Sequence, residues 1–101
     1  MKKLNLTFID NESHGYVKIS KYDLLGMHIN PNEFSSYSYY NMTDGYLYLE
    51  EDCDVTKLIK LLEERDYTIT NSEGYIDLKT VYVDSYYFNK QEFIRNENIR
   101  G

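Results

Sequence analysis

The sequence predicts an α+β fold: an antiparallel sheet of about five or six strands packed against one main helix, with one or two short helices. Three observations carry this expectation. Short segments alternate apolar and polar residues with a period of two, and turn residues separate them. A single segment, residues 55–65, convincingly sets apolar residues at helical spacing. Twelve of the 101 residues are tyrosine and none is tryptophan, and tyrosine favours strands and wet contact surfaces.

The elements follow in chain order. Leu4, Leu6 and Phe8 alternate with Asn5 and Thr7, the pattern of a half-buried first strand. Asp10 to His14 is a polar turn closing at Gly15, and Tyr16 to Ile19 returns as the hairpin partner. Ser20 is an N-cap with Asp23 three residues on, and Gly26 stops that helix after little more than one turn. Asn30-Pro31-Asn32 is a turn. Ser36 to Asn41 reads as a tyrosine-rich strand, and Asp44-Gly45 as a hairpin turn in which both residues tolerate positive φ. Tyr46 to Glu50 is the second arm, with Leu47 and Leu49 facing the core.

The main helix spans Val55 to Arg65, capped by Asp52 or Asp54. Its apolar stripe is Val55, Leu58, Ile59, Leu61 and Leu62. Two further strands, Tyr67 to Thr70 and Tyr75 to Val83, flank the turn Asn71 to Gly74. Asn89-Lys90-Gln91-Glu92 has the pattern of a capping box before a short terminal helix with Phe93 and Ile94 inward.

Length and composition bound the function. One domain over residues 1–101 leaves no room for a deeply enclosed cofactor pocket, and no cofactor is expected. The formal net charge of -6 has the wrong sign for direct nucleic-acid binding, which gains affinity by neutralising phosphates. It has the right sign for a basic protein partner. Cys53 is the only cysteine, so no intramolecular disulfide and no multi-cysteine zinc site forms. The N-terminus turns polar too soon for a signal peptide, and no apolar run reaches the length of a membrane span. The expected compartment is a reducing cytosol, with no membrane partner.

Two groups of residues are candidate sites. Glu50, Glu51, Asp52 and Asp54 place four carboxylates within five residues. Carboxylates before a helix favour its free N–H groups, and the spacing lacks the glycine turn and distal glutamate of a calcium loop, so a metal site is not expected. Capping does not use all four, and the surplus forms an acidic contact patch. Tyr37, Tyr39, Tyr40, Tyr46 and Tyr48 fall on one hairpin. Some pair across strands in the core, and an exposed face of them would anchor a protein contact. No basic residue lies between Phe34 and Glu50, which disfavours base stacking. Cys53 is expected as a small buried residue at the strand-to-helix corner, its flanking aspartates disfavouring a thiolate. His14 is expected to hydrogen-bond locally in its turn.

Ser13-His14-Gly15-Tyr16, Ser36-Tyr37-Ser38-Tyr39 and Tyr48-Leu49-Glu50-Glu51-Asp52-Cys53-Asp54, in that order, resemble strings in short uncharacterised proteins carried by phages and other mobile elements. The resemblance covers the first two-thirds of the chain, and its most specific part is the string from Tyr48 to Asp54. It implies a context: small acidic phage proteins often inhibit a host defence enzyme, anti-CRISPR and anti-restriction proteins among them. The expected function is therefore a binding protein that inhibits a nucleic-acid-processing host enzyme, such as a nuclease or CRISPR effector, in the host cytosol by charge mimicry. The alternatives are a small metal- or Cys-dependent enzyme, the latter using Cys53 with His14 or His28, and a structural module in which the tyrosine edge pairs with a second copy to form a homodimer.

Overall fold

The computed structural model describes residues 4–65 and 76–96. Its strands are β1 (Leu4–Asp10), β2 (Gly15–Ser20), β3 (Tyr39–Asn41), β4 (Tyr46–Glu50), β5 (Ile76–Tyr82) and β6 (Phe93–Arg95), and its helices are α1 (Lys21–Gly26) and α2 (Thr56–Glu63). The strands form one six-stranded sheet in the order β5-β1-β2-β4-β3-β6. The expected α+β architecture is present. The sheet is mixed, however, because β1 and β5 pair in parallel with Leu6 opposite Leu78. Since β1–β2 and β2–β4 are antiparallel, β4 and β5 run the same way. Strands with a common direction need a long crossover, and α2 lies on this one. The strand expected at Tyr67 to Thr70 and the turn at Asn71 to Gly74 lie outside the described residues.

Strand alternation gives the sheet two unlike faces. Leu4 and Leu6, Val17 and Ile19, and Leu47 and Leu49 share one face, where Leu58 and Leu62 of α2 and Leu24, Ile29 and Phe34 pack on them. Leu58 and Leu62 are one helical turn apart, so one stripe of α2 makes the seal. Arg65 fastens the end of this layer: its Nε donates to the Met27 carbonyl at 2.6 Å. The opposite face is aromatic. Ile9, Tyr16, Tyr48, Phe88 and Phe93 form a second buried cluster. Phe88 stacks on Tyr39 at 4.6 Å and meets Tyr16 at 4.4 Å, supplied by a short 3-10 turn, Tyr87–Asn89, rather than by a full helix.

Several elements depart from the sequence pattern for identifiable reasons. The strand expected from Ser36 begins only at Tyr39, because Ser35 and Ser38 turn their donors onto Asp54. The Asp44-Gly45 hairpin forms, but only Gly45 takes positive φ, at 75°. Asn41 organises the turn: its Oδ1 accepts from Thr43 N and Asp44 N, and its carbonyl accepts from Gly45 N. Residues Glu51–Val55 form a wide π-helical turn, so α2 starts one residue later than expected and ends at Glu63. The terminal helix expected after Asn89-Lys90-Gln91-Glu92 is instead strand β6. Its backbone pairs with the free edge of β3, with Asn41 opposite Phe93. A strand sends Phe93 and Ile94 to opposite faces, and the aromatic cluster takes Phe93.

Candidate contact surface

The end of β4 divides the four carboxylates into two pairs. Glu50 is only 8% exposed, and its side chain accepts from Asp52 N at 3.1 Å and Cys53 N at 2.9 Å. Glu50 is thus the cap of the turn that leads into α2, a role the sequence assigned to Asp52 or Asp54. A strand ending one residue before the turn puts the glutamate's longer side chain within reach of those N–H groups.

Asp54 is 3% exposed and sits in a polar knot. It accepts from Ser35 N at 3.0 Å, from Ser35 Oγ at 2.8 Å and from Ser38 Oγ. Ser38 Oγ in turn accepts from Glu50 N at 2.9 Å, and the Ser38 carbonyl accepts from Asn96 N. Asn96, fully buried, donates from Nδ2 to the carbonyls of Pro31 and Phe34. Neutral donors surround this carboxylate; a buried charge left without such partners would be very costly. Glu50 and Asp54 therefore join the end of β4, the 35–38 loop and the end of β6. Both were expected at a contact patch, and both are instead inside the protein.

Glu51 and Asp52 are exposed. Glu51 Oε1 accepts from Gly15 N at 3.1 Å, fixing its carboxylate beside the β1–β2 turn. The site requires glycine there: a Cβ on residue 15 would lie 2.1 Å from the Phe8 ring and 2.8 Å from Glu51 Oε2. Register explains the meeting, since Tyr16 pairs with Glu50 and Asp10 pairs with Gly15. Asp10, Glu12 and Glu51 consequently line one shallow groove of about 190 Å³. Sequence reasoning missed Asp10 and Glu12 as members of this acidic corner. Their charges are plain in the sequence, but only the strand register joins them to residues some 40 positions on.

Among the described residues the ion pairs are Lys18–Asp44 and Arg65–Glu64, and neither touches the corner. No group of three or more His, Cys, Asp or Glu is placed to hold a metal among the described residues. Cys53, expected inside, is exposed. Loss of hydration, then the Glu50 carboxylate, pushes its thiol above the usual value, away from nucleophilic use. The backbone N–H of His14 donates to Asn11 Oδ1 at 2.8 Å, a bond in which its imidazole takes no part.

The hairpin tyrosines also divide. Tyr48 is fully buried, and its hydroxyl donates to Asp44 Oδ2 at 2.8 Å. Burial, and then that hydrogen bond, pushes its pKa far upward. It belongs to the aromatic core and is not available as a surface anchor. Tyr39, Tyr40 and Tyr46 are half-buried. Tyr39 is held between the Phe88 ring and the Arg95 guanidinium, and Tyr46 lies under Lys18. Tyr37 is 62% exposed, on the loop that binds Asp54. No helix among the described residues is long and apolar enough to cross a membrane.

No family model, curated protein or solved structure matches the chain.

Proposed function

We propose that this chain is an acidic binding protein that blocks a nucleic-acid-processing host enzyme, such as a nuclease or CRISPR effector, by occupying its phosphate-binding surface. The observation behind the proposal is the acidic corner. Glu51 lines one groove with Asp10 and Glu12 at the β1–β2 turn, Asp52 is exposed next to Glu51 in the chain, and these four have no cationic partner among the described residues. Unneutralised carboxylates held on a rigid sheet end suit a surface of Lys and Arg, and pre-fixed charge costs little to order on binding.

Attraction of this kind acts before contact and falls with salt, because exposed charges are screened beyond about 10 Å at 0.1 M ionic strength. Tyr37 supplies a large open ring near the Asp54 loop for the apolar part of the contact. The phage setting comes from the sequence strings alone, and the fold supports the contact chemistry rather than the setting.

The test is capture of a partner from host lysate with tagged protein, followed by reconstitution with the purified partner. Retention of a basic nuclease or effector at low salt, release at high salt, and loss of its activity in the complex would support the proposal. Retention that ignores salt, or a partner whose activity is unaffected, would refute it.

A further inference from the structure

The β1–β2 turn has a second side. Beside the acidic groove, on the aromatic face of the sheet, lies a cleft of about 360 Å³. This volume falls within the range of about 300–1,000 Å³ typical of small-ligand sites. Tyr16, Tyr39 and Phe88 lie at its base, the Tyr16 and Phe88 rings almost wholly buried. Its rim is polar, with Arg95, His14, Asn11, Ser13, Ser85 and Asn89.

The chemistry of that rim is unusual for this chain. Seventeen of the 101 residues are acidic, yet none of the residues lining the cleft is Asp or Glu. The cleft has one permanent cation instead. The Arg95 guanidinium lies 4.4 Å over the Tyr39 ring, which holds its plane at the cleft wall. Its NH1 donates to the carbonyls of Tyr37 at 3.3 Å and Ser36 at 3.4 Å. The remaining N–H groups have no acceptor among the described residues.

Further donors surround this charge. The Asn11 side-chain carbonyl is occupied by Ser13 N and His14 N, which turns the amide's remaining hydrogen-bonding capacity to its NH₂ group. The Ser13 and Ser85 hydroxyls and the Asn89 amide complete a rim able to donate from several directions. An arginine fork among neutral donors matches an oxyanion with several acceptor oxygens.

We propose that this cleft binds a small phosphate oxyanion, free or as the head of a monoester, with Arg95 as its counter-ion. The cleft adjoins the acidic groove, with Ser13 and His14 lining both, but it does not depend on the partner proposed above.

The experiment is a titration of the isotope-labelled full chain with phenyl phosphate and, separately, with inorganic phosphate, followed by amide NMR shifts at constant ionic strength. Phenyl phosphate should produce saturable shifts at Ser13, His14, Ser85, Asn89 and Arg95 while Leu58, on α2, stays in place. Inorganic phosphate should shift the same residues. Arg95→Gln should weaken binding about tenfold, the loss expected for one charge-assisted contact. Ser85→Asp, at an exposed position that places a carboxylate in the cleft, should abolish binding and serves if Arg95→Gln does not fold. Absence of saturable shifts in the unsubstituted protein, or unchanged binding in the folded variants, would overturn the proposal.

Discussion

Glu50 and Asp54 lie inside the protein, whereas Glu51 and Asp52, between them in the chain, stay at its surface. The inner pair has its charge satisfied by backbone N–H groups and serine hydroxyls, and it ties three chain segments together. The outer pair leaves most of its charge to solvent, with one backbone contact from Gly15 to Glu51. One chemical group, the carboxylate, in one short run, thus serves folding at two positions and stays at the surface at the other two. The distinction comes from a strand end running into a π-helical turn, which rotates successive side chains to different surroundings.

Substitutions can break this comparison, and the largest effect should fall on Asp54. Asp54→Ala strands Ser35 N and the hydroxyls of Ser35 and Ser38, and each buried donor left unpaired costs about 1–3 kcal/mol. The expected loss is about 3 kcal/mol or more, read from denaturant midpoints at unchanged slope. A loss below about 1 kcal/mol would mean that water replaces the carboxylate and that the knot is not structural.

Gly15→Ala comes next. It drives a methyl into the Phe8 ring and the Glu51 carboxylate, and overpacking of this kind costs about 1–3 kcal/mol. Proton NMR of the variant should show the Phe8 ring displaced. Glu50→Ala should cost about 1–2 kcal/mol, the usual value of a helix cap, and amide exchange should quicken at Asp52 and Cys53. A larger loss than that from Asp54→Ala would reverse the order of importance within the inner pair.

The aromatic face sharpens the comparison through pH. Burial, and then the neighbouring Tyr39, raises the Tyr16 phenol from 10.0 to about 12 in the folded chain. The neutral form is favoured by folding, so its contribution is intact below pH 10 and is lost as pH rises toward 12. Stability should decline across that window, and Tyr16→Phe should reduce the slope, leaving the share that Tyr48 contributes. An unchanged alkaline profile in the variant would assign the transition to other groups.

Much of the fold was legible because local patterns agreed with it. The β1–β2 hairpin, the Ser20 cap of α1, the inward Leu47 and Leu49 and the stripe of α2 all follow from residue spacing. The parallel pairing of β5 was not legible, because period-two alternation looks the same in either direction. Phe93 and Ile94 read as a helix start because the backbone that claims them, the edge of β3, lies about 50 residues earlier. The acidic run was visible as composition, but its division was not. Asp54 is drawn inward by Ser35 and Ser38, and Glu51 is drawn toward Gly15, by contacts that no local spacing encodes. The anion cleft was invisible for the same reason: Arg95 and His14 meet only through the sheet.

The smallest effect on stability and the largest on binding should come from the outer pair. Glu51→Gln with Asp52→Asn keeps the Gly15 contact available and should change stability by no more than about 0.5 kcal/mol. The decisive measurement is the association rate of this double variant with the captured partner, at low and high salt, beside the unsubstituted protein. The account predicts a slower rate at low salt and a flattened salt dependence, with folding intact. An association rate and salt dependence equal to those of the unsubstituted protein would contradict the acidic corner as the contact surface.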